Sequence, residues 1–129
     1  MLQTSVTSAT LATPLEIIWG NPKRAVLFHA WLAALAPKHN LQTNTLRAAS
    51  ADASFRRYFR IDSTTNSFII MDAPPDKEDS APFVRIARLL GDAGLLVPRI
   101  LDWQAEQGFM LLTDLGTKTM LDVLDKQAG

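Results

Sequence analysis

The feature that most limits how this chain can fold is a change of hydrophobic period near Thr45, from a helical spacing to short runs of β-prone residues. The runs "TLRAAS", "SFRRYFRID" and "SFIIMDAP" are separated by "ADA" and by the turn-rich "STTN", a pattern that predicts three antiparallel strands. One helical segment follows, "DSAPFVRIARLLGDAGL", with Phe83, Ile86, Ala87 and Leu90 on one face, Asp79 or Ser80 as cap and Pro82 in the first turn. After Gly94 the strand pattern returns in "VPRILDWQ" and "FMLLTDLG", joined by a turn at Glu106 to Gly108, and reads as a hairpin. Three strands, a helix and two strands define an α+β domain with a five-stranded antiparallel sheet.

An extra helix precedes this unit. In "NPKRAVLFHAWLAALAPKH", Asn21 is the expected N-cap, Pro22 occupies the first helical position and Pro37 is the expected end. Phe28, Trp31, Leu32 and Leu35 fall at i, i+3, i+4 and i+7, one buried stripe, with His29 beside it as a surface or partly buried residue. The Ser/Thr-dense start reads as a loose tail in which Leu15 to Trp19 form the first anchor.

Composition narrows the function classes. The 129 residues carry 13 basic and 13 acidic side chains, so any basic patch is local and a broadly nucleic-acid-seeking surface is disfavoured. Without cysteine there is neither a disulfide framework nor a thiolate metal site, and the two histidines, His29 and His39, make no metal site alone. The longest apolar tract, Ala30 to Ala36, is far short of a membrane span, and the amino terminus lacks the pattern of a secretory signal; a soluble, cytoplasmic protein is expected.

The densest chemistry lies between Phe55 and Arg60, where three arginines alternate with three aromatics. By the strand period of two, Arg57, Phe59 and Ile61 share one face and Arg56, Tyr58 and Arg60 the other. Such a segment can contact phosphate through the planar donor fork of arginine, stack single-stranded nucleic acid, or form a solvated strand face.

The order of elements, together with "DASFRRYFR", "IIMDAPP" and "LLTDLG", resembles the small lobe of the aminoglycoside-phosphotransferase-like, protein-kinase-like family. Within it, the blocks are similar to the bacterial sugar kinases that phosphorylate the anomeric hydroxyl of N-acetylmuramate and N-acetylglucosamine, enzymes of cell wall recycling. The resemblance implies ATP with Mg2+ as cofactors, an amino-sugar substrate, and catalytic and metal-binding groups on a large lobe. It divides the chain into a tail (1–20), a small lobe (21–113) and a hinge entering a large lobe (114–129). No catalytic residue is expected in these 129 residues, so the chain by itself is expected to be inactive and to expose apolar surface at Leu115, Met120 and Leu121 that favours self-association.

The same resemblance assigns candidate nucleotide contacts. Ser54, in the short-residue loop Ser50 to Ser54, and one of Arg56 and Arg57 are the candidates for the triphosphate; Arg60, further from the loop, is the candidate for a solvated or packing role. The Thr113 carbonyl and Leu115 N–H face adenine, Leu112 guards the back of the pocket, and Ile69 and Met71 supply apolar faces. Protein kinases place a lysine on the third strand, paired with an acid on the next helix. Here that strand reads Phe68, Ile69, Ile70, Met71, Asp72, so another cation is required, Lys77 or a loop arginine. Glu78 and Asp79 are expected to act as helix-terminal charges. The alternatives are a noncatalytic nucleotide- or RNA-binding module and an inert fragment.

Overall fold

Asn21 begins the first ordered element as the local sequence demands: its side-chain carbonyl accepts from the Lys23 N–H at 3.0 Å, and proline follows where its missing N–H does no harm. The structure is a computed structural model that describes residues 17–51 and 56–114. Helix α1 runs Pro22–His39 and buries Phe28, Leu32 and Leu35, with Trp31 partly covered. It continues through Pro37 instead of stopping there. Pro37 and Ala33, whose carbonyl loses its usual donor, are both on the exposed side, and the helix ends three residues on at Asn40, whose left-handed backbone (φ 56°) directs its N–H to the Ala36 carbonyl.

Five strands follow: β1 Leu41–Ala51, β2 Arg57–Ser63, β3 Ser67–Asp72, then helix α2 Ala81–Asp92, then β4 Ile100–Gln104 and β5 Phe109–Thr113. They form one antiparallel sheet in the order β1-β2-β3-β5-β4, the α+β small-lobe architecture expected. Strand β1 starts at Leu41, before the expected Thr45, because the polar stretch Gln42 to Asn44 hides a strand with an irregular register. Thr45 bridges that irregularity, its hydroxyl donating to the Gln42 carbonyl and accepting from the Asp62 N–H.

Alternation along the strands divides the interior into two cores. On the α1 side, Phe28, Leu32, Leu35, Phe59, Ile61, Ile70, Phe109 and Leu111 pack together, with Ile17 and Trp19 against them. Trp19 lies 5.1 Å from the Phe28 ring centroid, so the expected early anchor is ordered at Ile17 to Trp19; Leu15 lies outside the described residues. On the α2 side, Tyr58, Ile69, Met71, Phe83, Val84, Ala87, Met110 and Leu112 form the second core. Complete burial of a side chain such as Phe28 or Phe83 contributes about 2–3 kcal/mol relative to an exposed position.

The approach to α2 and the β4–β5 turn meet at one close contact. Gly108 has φ 83°, its carbonyl accepts from the Ala73 N–H at 2.8 Å, and a Cβ at Gly108 would lie 2.0 Å from the Ala73 oxygen. At the start of α2, Ser80 occupies the cap position without a side-chain hydrogen bond, and the Asp79 carboxylate accepts from the Ala81 N–H instead. Neither described helix is long and apolar enough to cross a membrane.

Candidate functional site

The three arginines separate by face as the strand period predicts, and each meets a different carboxylate. Arg57 points to the α1 side. Its Nε and Nη2 donate to Asp72 Oδ2 at 3.2 and 2.9 Å, Nη1 donates to the Ile18 carbonyl at 2.6 Å, and its guanidinium lies 4.6 Å from the Trp19 ring centroid. The other Asp72 oxygen accepts from Arg24 of α1, which also donates to the Gln107 carbonyl and lies over Phe109. Asp72 therefore sits buried between two arginines, and the cluster ties the amino-terminal segment, α1, β3 and the β4–β5 turn together. Arg57 is thereby tied to β3 and the amino-terminal segment, on the sheet face opposite Arg56.

Arg56 points to the α2 side and is 2% exposed, the one buried cation among the described residues. Its Nε lies 3.0 Å from Glu78 Oε1, and its guanidinium carbon 5.5 Å from the Phe83 ring centroid, on the first turn of α2. Glu78 is thus an arginine partner and not merely a helix-terminal charge, a correction to the expectation from its position alone. The pairing spans 22 positions of sequence and depends on the β3–α2 connection folding back over the start of β2, so no local pattern announces it.

Arg60 shares the Arg56 side. It is not simply solvated: Nε donates to Asp114 Oδ2 at 2.7 Å, and the Ser67 hydroxyl donates to the same oxygen at 2.9 Å. This fastens β2 and β3 to the residue after β5, at the expected hinge. Lys77 is exposed in the turn after Pro75, as expected of a loop residue.

Ile69, Met71 and Leu112 are brought together, in register across β3 and β5 and in one core with Tyr58 and Ala73. Met71 and Leu112 are fully buried there under Phe83, Val84 and Ala87. Thr113 pairs with Arg99, its N–H donating to the Arg99 carbonyl at 3.0 Å while its hydroxyl accepts from the Arg99 N–H at 2.8 Å. Ser54 and Leu115, and with them Met120 and Leu121, lie outside the described residues. Among the described residues, a cleft of about 420 Å3 lies at the C-terminal end of α2, lined by Arg88, Leu96 and Arg99, and one of about 240 Å3 lies beside the Arg56 partner, lined by Glu78, Ser80 and Trp103.

The model of the phosphotransferase enzyme family, APH, matches residues 45–128, from within β1 to nearly the end of the sequence. Over 76 residues the chain is 59% identical to an N-acetylmuramate/N-acetylglucosamine kinase of Pseudomonas aeruginosa, covering 59% of this chain and 22% of that protein. An enzyme of the same name from Pseudomonas putida is 54% identical over 81 residues, covering 63% and 24%. A third, from Neisseria meningitidis, is 36% identical over 108 residues, covering 83% and 31%. The chain spans less than a third of the length of these relatives. With its fold, its two cores and the family match in agreement, the chain belongs to the phosphotransferase enzyme family.

Proposed function

We propose that this lobe binds ATP for a kinase that transfers the γ-phosphate to a hydroxyl of an amino sugar. The substrate class rests on the relatives named N-acetylmuramate/N-acetylglucosamine kinase. One observation carries the nucleotide reading: Arg56 is a buried cation at the exit of the Ser50–Ser54 segment, on the same sheet face as Ile69, Met71 and Leu112. Phosphoryl transfer depends mainly on positioning and on neutralising charge spread over phosphate oxygens, and a fixed guanidinium supplies both.

In this reading Ser54 donates a hydroxyl hydrogen bond to the triphosphate beside Arg56. Adenine lies at the hinge against the Thr113 carbonyl and Leu115 N–H, with Leu112 behind it and Ile69 and Met71 supporting the apolar side. Mg2+ serves such reactions by neutralising β and γ oxygens. The described residues bring no three carboxylate or histidine side chains together, so they do not fit a magnesium site and no step is assigned to the ion on this lobe. The cytoplasm, where ATP is available, is the compartment this function implies.

The alternative of a nucleic-acid platform lacks support in the geometry. Arg57 and Arg60 leave on opposite faces, and Arg56, Arg57 and Arg60 are each held by a carboxylate. The test is ATP consumption by the full-length protein with N-acetylmuramate and N-acetylglucosamine. Sugar-dependent turnover with either is expected; none with either, by a protein shown to be folded, would overturn the substrate reading.

A further inference from the structure

The ion pair between Arg56 and Glu78 has an unfavourable design if stability is its purpose. Both side chains are largely removed from water, at 3% and 15% exposure, with Arg56 Nε 3.0 Å from Glu78 Oε1. Burying two charges costs several kcal/mol per ion before their attraction is counted, and well-packed apolar replacements are often as stable or more so. Glu78 Oε2 is moreover buried without a hydrogen-bond partner among the described residues, a feature that calls for a reason beyond packing. The Asp72 carboxylate differs in this respect: both of its oxygens are bonded, one by Arg24 and one by Arg57, although Arg24 Nε is also buried without a hydrogen-bond partner among the described residues.

Position supplies the reason. Protein kinases hold the nucleotide phosphates with a lysine from the third strand, kept in place by an acid on the following helix. Here the β3 residues on the α2 side are Ser67, Ile69 and Met71, followed by Ala73; none is a cation, and Ile69, Met71 and Ala73 are buried in that core. Arg56 enters the same side from the head of the neighbouring strand, where Tyr58 pairs with Met71 and Arg57 with Asp72. The acid still comes from the approach to the helix, three residues before Ala81.

We propose that Glu78 is a positioning residue for the nucleotide's phosphates: it holds Arg56 in place of the third-strand lysine, the cation having moved one strand over while the acid stays beside the helix. This rests on the nucleotide reading above. An arginine remains charged at any physiological pH, and Glu78 restrains its long side chain so that less rotamer freedom is lost when phosphate binds.

The experiment is calorimetric titration of the full-length protein and its Glu78→Gln variant with MgATP, MgADP and adenosine. Loss of the carboxylate charge is expected to weaken ATP and ADP about tenfold, as for one charge-assisted contact, and to leave adenosine affinity unchanged. Glu78→Asp, which keeps the charge, is expected to lose less than Glu78→Gln. A purely structural role would lower melting temperature and weaken all three ligands alike, and that result would overturn the proposal. So would Glu78→Gln binding ATP as tightly as the unaltered protein, with the nucleotide reading left standing. Failure of the unaltered protein to bind ATP would remove both. If Glu78→Gln does not fold, Glu78→Asp carries the same comparison: a loss confined to ATP and ADP supports the proposal, and an equal loss of adenosine or no loss contradicts it.

Discussion

The two faces of the sheet use arginine in opposite ways. On the α1 face, Arg24 and Arg57 share Asp72 and lie on Trp19, Phe59 and Phe109, so both carboxylate oxygens are bonded, and the one buried donor left without a partner there among the described residues is Arg24 Nε. On the α2 face, Arg56 meets the partly buried Glu78 carboxylate and the Phe83 ring beside the second core, and that carboxylate keeps one oxygen unbonded by the described residues. Adjacent arginines thus belong to different systems, Arg57 to a cluster that fastens elements together and Arg56 to the pair we propose serves the nucleotide. The face of the sheet, not nearness in sequence, decides which carboxylate each arginine meets.

The largest effect separating the two faces should come from Asp72→Ala. Removing a carboxylate that is 2% exposed leaves Arg24 and Arg57 facing one another, and breaking a buried pair of this kind costs about 3–5 kcal/mol. Urea denaturation of the chain should show that loss. A change under about 1 kcal/mol would mean that the cluster is open to water and that the contrast between the faces has been overdrawn.

Next in size is Gly108→Ala, where a Cβ would collide with the Ala73 carbonyl and the backbone lies at φ 83°. A loss of about 2 kcal/mol or more is expected by the same measurement. Because this contact joins the β4–β5 turn to the segment leading to Glu78, it sharpens the comparison if nucleotide affinity falls together with stability. Smaller again is Asn21→Ala, which removes the side-chain acceptor for the Lys23 N–H and should cost about 1 kcal/mol on the α1 side alone. Its ATP affinity should stay unchanged once the protein is folded.

How legible the molecule was from its sequence follows from the range of each interaction. Caps and stripes are local, so Asn21, Pro22, Phe28 and Leu32 mark α1, and alternation along Arg56 to Ile61 sorts the faces of β2 correctly. Pro37 misleads because a proline in the last exposed turn leaves only a solvent-facing carbonyl without its donor. The start of β1 is hidden because Gln42 to Asn44 carry no apolar alternation. The partners of the arginines are invisible for another reason. Asp72, Glu78 and Asp114 lie 15, 22 and 54 residues from Arg57, Arg56 and Arg60, distances that only the folded chain closes.

Chemistry outside the lobe gives a prediction at the level of activity. The only histidines, His29 and His39, precede the sheet, and the described residues bring no metal-binding trio together, so the purified 129-residue polypeptide should consume no ATP in the presence of N-acetylmuramate. Turnover by that polypeptide would mean that catalytic groups have been overlooked within it.

The central claim, that Arg56 serves the nucleotide and Arg57 the fold, is tested most directly by titrating full-length Arg56→Ala and Arg57→Ala proteins with MgATP and with adenosine, and melting both in parallel. Arg56→Ala is expected to weaken ATP about tenfold or more while sparing adenosine, because a charge-assisted phosphate contact contributes roughly 1.5–3 kcal/mol. Arg57→Ala is expected to lower stability by about 1–2 kcal/mol through its lost bonds to Asp72 and its contact with Trp19, with ATP affinity nearly unchanged. The reverse assignment, with ATP affinity lost at Arg57 and kept at Arg56, would contradict the account.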